Sequence, residues 1–404
     1  MSGDKMLPYG RQLIDDDDVA AVVAQLKGDW LTQGPTVGRF EEALCGITGA
    51  RYAVAVANGT AALHLACLAA EVSPGDAALV PDVTFVATAN AVRYCGARPV
   101  LVDVEPDTGL VSLDGLDEHL RLATRRGSAP RAVLPVSLAG ATADLERIRV
   151  MADTVGARVI EDAAHSLGAT YEASGGTTLS ASCAHTDMAI LSFHPVKHLT
   201  TGEGGAITTN DSRLNQLLRD LRTHGITKDP ARLEENDGPW YQEQWTLGFN
   251  YRLTDIQSAL GVSQSRKFPG FLERRRQLAA MYDTALEPME AHLHPLRVPD
   301  GVASAYHLYV VQLTRRGGES LTELAARRKA LYLWLREQNI ASQVHYVPVH
   351  RQPSFRRAGL CDGVFPGADA YYAGCLSLPM FPAMMDEDVV RTVTALQGFF
   401  EPRG

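Results

Sequence analysis

Short apolar runs alternate with segments of helical periodicity along the first half of the chain. The apolar runs read YAVAVA, AALVP, RPVLVDV, RAVLPVSL, RVIEDAA, MAILSF and GAITTN, and segments such as 61–71 and 145–155 separate several of them with apolar residues at helical spacing. Buried parallel strands are typically continuous apolar runs, because helices cover both faces of the sheet. The pattern predicts an α/β fold with a mostly parallel sheet covered by helices. Ligands in such folds bind at the carboxyl ends of the strands, so we expect the functional residues directly after these runs.

The pattern changes around residues 261–271, and the rest of the chain predicts a smaller α+β domain. Its expected elements are a helix at 272–286, a strand at HLYVVQL, an amphipathic helix at 321–338, a strand at SQVHY and a closing helix from Asp386. We therefore predict a large domain over residues 1–260 and a small C-terminal domain over residues 261–404.

Two further segments are the amino-terminal part of the chain and a polar stretch at 227–246. Helices are expected at 18–27 and 40–48, and the acidic run from Asp15 to Asp18 favours a solvated helix start over a metal site, whose ligands would converge from several elements. The polar segment TKDPARLEENDGPWYQEQWT is expected to be an ordered excursion, since featureless loops of that length are uncommon inside domains.

Composition and charge exclude several classes of protein. Lys and Arg number 38 against 47 for Asp and Glu, a net charge of −9 without any long basic block, so nucleic acid is not an expected partner. The amino-terminal segment is polar and acidic, and no apolar stretch reaches about 18 residues, so we expect no membrane association and a cytoplasmic location. The six cysteines form no C-x-x-C pair, and we expect neither a metal site nor disulfides.

The residues after the first apolar run predict an anion site. In NGTAALHLA, the residues Asn58, Gly59 and Thr60 lie where a helix begins and present free backbone N–H groups. An ordinary helix cap would use the same residues. A P-loop is excluded because no G-K-[ST] follows, and a dinucleotide-binding dehydrogenase lacks its G-x-G-x-x-G.

Three other strand ends carry candidate chemistry. RVIEDAAHS places Glu161 and Asp162 at the end of a buried strand, where an unpaired carboxylate is costly. Asp162 could form a structural salt bridge or pair with a heterocyclic nitrogen, and His165 could be its neighbour in a site or a core histidine. Lys197, in SFHPVKHLTTGEGG, lies in the turn between MAILSF and GAITTN, and Ser192 ends the first of these runs.

A lone lysine is ordinarily a surface residue, but this one converges with an anion site and a carboxylate. That combination is what a pyridoxal phosphate site requires. The phosphate would bind at Thr60 and Ser192, Asp162 would pair with the pyridinium nitrogen, and Lys197 would form the Schiff base with the aldehyde.

An ordered set of motifs resembles a known family. NGTAALHLA, PDVTFVATANAV, EDAAHSLGATY, SFHPVKHLTTGEGGAITTND, LRTHGI and LGFNYRLTDIQSALG are similar to the sugar nucleotide aminotransferases of the DegT type. The resemblance implies an α/β, PLP-dependent aminotransferase of fold type I, with a mostly parallel seven-stranded sheet between helices and a smaller C-terminal α+β domain. LPYGRQ, DWLTQGP, AYHLYVV and QVHYVPVHRQP further resemble the subgroup of pseudaminic acid biosynthesis.

The resemblance implies a role for each matching residue. Catalytic roles fall on Lys197, Asp162 and His165, and the residues that bind pyridoxal 5'-phosphate would be Gly59, Thr60, Phe85, Asp162, His165, Ser192 and Lys197. Asn250 matches a residue that reaches the phosphate from a second subunit, which implies a homodimer with active sites at the interface. The sugar nucleotide contacts would be Tyr9, Trp30, Leu31, Thr32, His345 and Tyr346, although Tyr9 and Trp30 could equally pack in the dimer.

The subgroup implies a specific reaction. It transfers an amino group from L-glutamate to the C4 keto group of a UDP-linked 4-keto-6-deoxy-N-acetylhexosamine, which gives UDP-4-amino-4,6-dideoxy-N-acetyl-β-L-altrosamine. The dehydratase relatives carry histidine at the position of Lys197, so that activity is set aside. Two alternatives remain: an aminotransferase acting at C4 or C3 of another nucleotide sugar, and a non-catalytic regulator that kept the cofactor site. Arg252 is a candidate for the donor's second carboxylate by position only.

Overall fold

Helices and strands alternate through the computed structural model, which describes residues 5–125, 127–235 and 237–401. The helices are α1 (Asp16–Leu26), α2 (Pro35–Thr48), α3 (Gly59–Ala69), α4 (Val86–Tyr94), α5 (Leu113–Arg125), α6 (Leu145–Asp153), α7 (Ser212–Arg222), α8 (Asp255–Leu286), α9 (Leu321–Glu337), α10 (Pro353–Arg357), α11 (Pro366–Gly374) and α12 (Asp386–Phe400). The strands are β1 (Tyr52–Val56), β2 (Ala77–Pro81), β3 (Arg98–Val102), β4 (Ala132–Val133), β5 (Arg158–Asp162), β6 (Thr170–Ala173), β7 (Gly176–Leu179), β8 (Met188–Ser192), β9 (Gly205–Thr209), β10 (Ile226–Thr227), β11 (Glu243–Gln244), β12 (Leu293–Pro295), β13 (Val302–Ala303), β14 (Tyr309–Leu313) and β15 (Cys375–Leu378).

The main sheet has seven strands in the order β1-β9-β8-β5-β4-β2-β3. The five strands from β8 to β3 pair in parallel, and β9 runs antiparallel to both β8 and β1. The prediction of a mostly parallel, seven-stranded sheet is confirmed. Apolar side chains fill both faces of this sheet, because the strands lie between helices on the two sides.

The helix α8 is longer than the sequence pattern indicated. It begins at Asp255, capped by Thr254 in a reciprocal capping box with Gln257, and it continues without interruption to Leu286. Gly261 lies inside it, where a Cβ atom would come within 2.6 Å of the Phe40 ring, so the glycine permits close packing against α2. The predicted domain division at residue 261 falls within this continuous helix, and the division itself stays a prediction.

The C-terminal part is built on a second core. A three-stranded antiparallel sheet, in the order β12-β14-β15, packs with α9, α12 and the end of α8. The predicted strand at SQVHY is wrong: it forms no strand, and a single bridge between Gln343 and Ser377 is its contact with the sheet. The segment instead crosses towards the main sheet and brings His345 and Tyr346 to the cavity described below.

The acidic run at the amino-terminal helix start is partly paired. Asp15 and Asp18 form a reciprocal capping box at α1, and Lys267 of α8 contacts both carboxylates. Asp18 is buried, so the helix start is confirmed but is less solvated than expected. None of the helices within the described residues combines the length and apolar character that a membrane crossing requires.

Candidate active site

A cavity of about 810 Å³ opens at the carboxyl ends of the parallel strands. Ten of the residues predicted to bind the cofactor or the sugar nucleotide line it: Tyr9, Gly59, Thr60, Phe85, Asp162, His165, Ser192, Lys197, His345 and Tyr346. They come from the segment before α1, the first helix turn after β1, the turn between β2 and α4, the ends of β5 and β8 with the turns that follow them, and the segment that follows α9. The edge of the sheet brings together residues that lie far apart in sequence, as expected for this fold class.

One wall of the cavity is the start of α3. Asn58 caps this helix, with its side-chain oxygen accepting a hydrogen bond from the N–H of Ala61 at 2.8 Å. Gly59 packs against Ser192 so closely that a Cβ atom would come within 3.1 Å of the serine Cβ. The helix N-terminus, the Thr60 side chain and the Ser192 side chain therefore border one region of the cavity, where backbone N–H groups and the helix dipole favour an anion.

The second wall carries the carboxylate of Asp162. Asp162 is 6% exposed at the end of β5 and accepts hydrogen bonds from the Thr88 hydroxyl at 2.7 Å and the Ala164 N–H at 3.2 Å. Burial raises its pKa, and these hydrogen bonds and the charge of Lys197 oppose the rise. No Lys or Arg in the described part of the chain forms an ion pair with it, which leaves the carboxylate facing the cavity without a cationic partner in contact. Such a group favours a buried cation opposite it.

Glu161 has a different role from its neighbour Asp162. Its side chain points to the other face of β5, where it accepts hydrogen bonds from Ser137 at 2.7 Å, Ser180 at 2.8 Å and the Ala181 N–H at 3.0 Å. It is buried away from the cavity and stabilises the loops around residues 137 and 180.

Lys197 lies in the turn between β8 and β9, with its backbone N–H bonded to the carbonyl of His194 at 2.9 Å. Its Nζ lies 3.4 Å from Nε2 of His307. Burial of the amine lowers its pKa to about 7, the carboxylate of Asp162 opposes the change, and Arg275 adds to it. Near neutral pH a large fraction of this amine is therefore unprotonated and nucleophilic, unlike that of a surface lysine.

His165 is held in one orientation by hydrogen bonds at both of its ring nitrogens. Nδ1 accepts a hydrogen bond from the Ala139 N–H at 3.4 Å, so the proton of the neutral ring is on Nε2, which donates to the Tyr346 hydroxyl at 3.1 Å. Burial holds the pKa of His165 well below its usual value, and its ring centroid lies 4.4 Å from that of His307. His165 is therefore neutral and connects Tyr346 to the interior of the site.

Five residues considered from the sequence do not line this cavity. Trp30 is 54% exposed and Leu31 is 47% exposed, and Thr32 pairs through its backbone with Thr254. Asn250 is exposed and pairs with Thr223, and Arg252 pairs with Val56. Any contact of these five with the site would come from a second copy of the chain or from a different conformation.

Two residues of the site were missed at the sequence level, although both lie in motifs that were noticed. Thr88 lies in PDVTFVATANAV, one helical turn after Thr84, and it is completely buried beside Asp162. His307 lies in AYHLYVV at the entry to β14 and contacts Lys197. The signal available was the polar character of each residue within an otherwise apolar segment, which does not distinguish a site residue from a satisfied core residue.

Comparisons with known proteins match the chain to one family over nearly its whole length. The profile of the DegT/DnrJ/EryC1/StrS aminotransferase family matches residues 12–397. The chain is 34% identical to the spore coat polysaccharide biosynthesis protein SpsC of Bacillus subtilis over 393 residues, which cover 97% of this chain and 96% of that protein.

Two solved structures have the same architecture over nearly their whole length. Spr1654 from Streptococcus pneumoniae, solved in apo, PLP and PMP forms, matches in its PMP form with a TM-score of 0.87 and 28% identity, covering 98% of this chain and 99% of that one. PseC of Helicobacter pylori, an aminotransferase of pseudaminic acid biosynthesis, matches with a TM-score of 0.85 and 27% identity, covering 99% of this chain and all of that one.

Proposed function

The chain belongs to the DegT/DnrJ/EryC1/StrS aminotransferase family, and we propose that it transfers the amino group of L-glutamate to a UDP-linked 4-keto-6-deoxy-N-acetylhexosamine. The reaction occurs at C4 and gives UDP-4-amino-4,6-dideoxy-N-acetyl-β-L-altrosamine and 2-oxoglutarate. The observation that carries the amino transfer is a lysine amine with a lowered pKa in the same cavity as the buried carboxylate of Asp162.

The site fits pyridoxal phosphate, the cofactor of this family. The buried, cation-seeking Asp162 suits a protonated ring nitrogen, and the start of α3 with Thr60 and Ser192 suits the phosphate. Lys197 has the amine that binds the aldehyde. When bound, the cofactor supplies a carbonyl carbon for the amino group and a ring that withdraws electrons from it.

Each residue around the cofactor would then have its own role in the reaction. Asp162 would hold the ring nitrogen in its protonated form, which would keep the ring electron-withdrawing. Phe85 would stack on the ring, and His165 would lie near the ring oxygen. The Nζ of Lys197 removes the proton from the α-carbon of glutamate, and in the second half-reaction it delivers a proton to C4 of the sugar. A pKa of about 7 suits a group that must act as both base and acid near neutral pH.

Recognition of the sugar nucleotide would come from residues at the mouth of the cavity. Tyr9, His345 and Tyr346 line it, and the His345 ring is fixed by a 2.8 Å hydrogen bond with Ser377. Burial lowers the pKa of His345 to about 3, so it meets the substrate as a neutral hydrogen-bonding group. Trp30, Leu31, Thr32 and Asn250 would contribute from a second subunit, as part of a homodimer that we place in the cytoplasm.

A second candidate is transamination at C4 or C3 of another nucleotide-linked keto sugar. The similarity to SpsC, a protein of spore coat polysaccharide biosynthesis, favours this alternative. The polar groups of the cofactor site would serve either substrate.

A panel of keto sugars tests the proposal against its alternative. The purified enzyme is given glutamate and, separately, the UDP-linked 4-keto-6-deoxy-N-acetyl-L-hexosamine, its D-configured counterpart, a dTDP-linked 4-keto-6-deoxy sugar and a dTDP-linked 3-keto-6-deoxy sugar. We expect the highest kcat/KM with the first compound, and an amine at C4 in the altro configuration by NMR. Preference for either dTDP-linked sugar would establish the alternative.

A further inference from the structure

A buried arginine without a carboxylate partner lies beneath the candidate active site. Arg275, in the middle of α8, has no exposed surface, and its Nη1 donates to the backbone carbonyls of Tyr306, His307 and Met380, each at 3.1 Å. Its Nε and Nη2 are also buried, and neither finds a hydrogen-bond partner among the described residues. A buried charge in this state is costly and needs an explanation.

His307 connects Arg275 to the reacting lysine. The carbonyl of His307 accepts from Arg275, while Nε2 of the same histidine lies 3.4 Å from the Lys197 Nζ. The peptide before it is in an unusual conformation, since Tyr306 has a φ of +46°. Gly140 allows this turn to approach closely, because a Cβ atom there would lie 2.4 Å from the Tyr306 backbone N.

The guanidinium is charged at neutral pH. Burial lowers the pKa of Arg275 to about 10, which still leaves it protonated at pH 7. Its charge adds to burial in lowering the pKa of Lys197, and it acts in the same direction on His307 and on His198, whose pKa falls to about 3. The titratable and charged groups that interact electrostatically with the lysine amine are Asp162, His165, His198, His307, His345 and Arg275. His194 and Glu203 also line the cavity, and Glu203 is exposed to solvent.

Asp162 is the one anion among the groups that interact with the amine, and the four histidines among them are neutral because burial lowers the pKa of each. Arg275 therefore supplies a permanent positive charge that offsets the attraction of Asp162 for a protonated amine. Without it, burial of the amine alone would oppose the carboxylate, and a larger fraction of Lys197 would be in its unreactive ammonium form.

We propose that Arg275 is a positioning residue that fixes the Tyr306–His307 turn beneath Lys197 and, as an unneutralised buried cation, keeps the lysine amine in its reactive, unprotonated form. The inference rests on the proposed role of Lys197 in amino transfer. Arg275 touches neither the cofactor region nor the substrate region, and it acts through His307 and through its charge.

The test follows the titration of Lys197 in the cofactor-free full-length protein. The protein is labelled briefly with acetic anhydride at pH values from 5 to 11, and labelling of the Lys197 peptide is measured by mass spectrometry. The variants are Arg275→Gln and Arg275→Met, which remove the charge, and Arg275→Lys, which retains it. Arg276→Gln is the matched control, because Arg276 also donates to backbone carbonyls, those of Ser304 and Gly168, but does not affect the pKa of Lys197.

We expect the labelling midpoint to lie near pH 7 in the wild type, Arg275→Lys and Arg276→Gln, and to rise by about one pH unit or more in the two neutral variants. A midpoint unchanged in a folded neutral variant would overturn the inference. Failure of both neutral variants to fold while Arg275→Lys folds would also overturn it, because Arg275 would then be structural alone. A wild-type midpoint near the ordinary value for lysine, together with no covalent cofactor at Lys197, would instead refute the proposed function.

Discussion

Asp162 and Glu161 are neighbours on β5, but their side chains lie in different surroundings. Asp162 faces the cavity beside Thr88, and Glu161 accepts three hydrogen bonds on the opposite face of the strand. Both are buried, and burial raises the pKa of both. The two carboxylates differ in the hydrogen-bond donors around them. Glu161 is satisfied by its three donors and needs no ligand, whereas Asp162 has fewer donors and faces the cavity.

The pair predicts opposite outcomes for two substitutions. Asp162→Asn should leave the melting temperature close to that of the wild type and reduce kcat by about 100-fold or more, because an amide cannot hold the ring nitrogen protonated. Glu161→Gln should lower the stability by about 1–3 kcal/mol, because buried donors lose a charged acceptor, while turnover per folded molecule changes little. Thermal unfolding and steady-state kinetics on both variants check this. Equal losses of kcat in the two would contradict the assignment of roles.

At the scale of elements, the contact between β9 and the start of α3 shapes the anion site. A Cβ atom on Gly205 would lie 2.5 Å from both the carbonyl carbon and the carbonyl oxygen of Asn58 and 2.7 Å from the Gly59 N. Backbone atoms cannot yield as a flexible side chain can, so any larger residue at 205 must move the helix start. In the sequence this contact falls in the glycine-rich stretch after Lys197, and a glycine alone does not distinguish freedom to turn from close packing.

Gly205→Ala is therefore expected to weaken cofactor binding with a modest effect on folding. The displaced helix start should cost at least about one hydrogen bond to the phosphate, and about 1.4 kcal/mol corresponds to a tenfold rise in Kd. Gly46→Ala is the control, since that helical glycine has nothing within 4 Å of an added Cβ atom. Spectrophotometric titration with pyridoxal phosphate measures both. An unchanged Kd in Gly205→Ala would show that the helix start does not hold the phosphate.

For the whole molecule, the sequence predicted the fold and most of the strand-end residues that line the candidate site, because both depend on local patterns. Buried parallel strands are apolar runs. Asp162 and Ser192 end two of these strands and Lys197 lies in the turn after the second, so the three meet at one edge of the sheet. The antiparallel direction of β9 was not predicted, because pairing direction leaves no mark in an apolar run. Arg275 and His307 were missed for a related reason: one polar residue in an amphipathic pattern becomes important only when tertiary packing buries it.

Other differences come from the connection between the two parts of the chain. The change of pattern around residues 261–271 falls within the continuous helix α8, where Gly261 is needed for packing against Phe40. The SQVHY segment alternates like a strand but serves as a loop that carries His345 and Tyr346 to the cavity. Sequence patterns indicate which residues are buried. The conformation of these two segments depends instead on tertiary contacts, which the patterns do not show.

The proposed homodimer leads to a prediction at the same scale. Asn250 lies outside the cavity of its own chain, so a site completed by the partner subunit should need Lys197 from one subunit and Asn250 from the other. Lys197→Ala and Asn250→Ala should each have low activity as homodimers. Mixed dimers, formed by co-expression with two affinity tags, should regain activity, because one of their two sites carries neither substitution. Absence of complementation, or a monomer by light scattering, would contradict the shared site.

The measurement that tests the central claim most directly is the absorbance spectrum of the protein with pyridoxal phosphate, recorded alone, after glutamate, and after the UDP-linked 4-keto-6-deoxy-N-acetyl-L-hexosamine. We predict a visible band from lysine-bound cofactor that bleaches with glutamate and returns with the keto sugar, and its absence in Lys197→Ala. A band that bleaches but does not return would keep the aminotransferase and reject this sugar. If no such band forms in the wild type, or if Lys197→Ala gives the same band, Lys197 does not bind the cofactor and the account is contradicted.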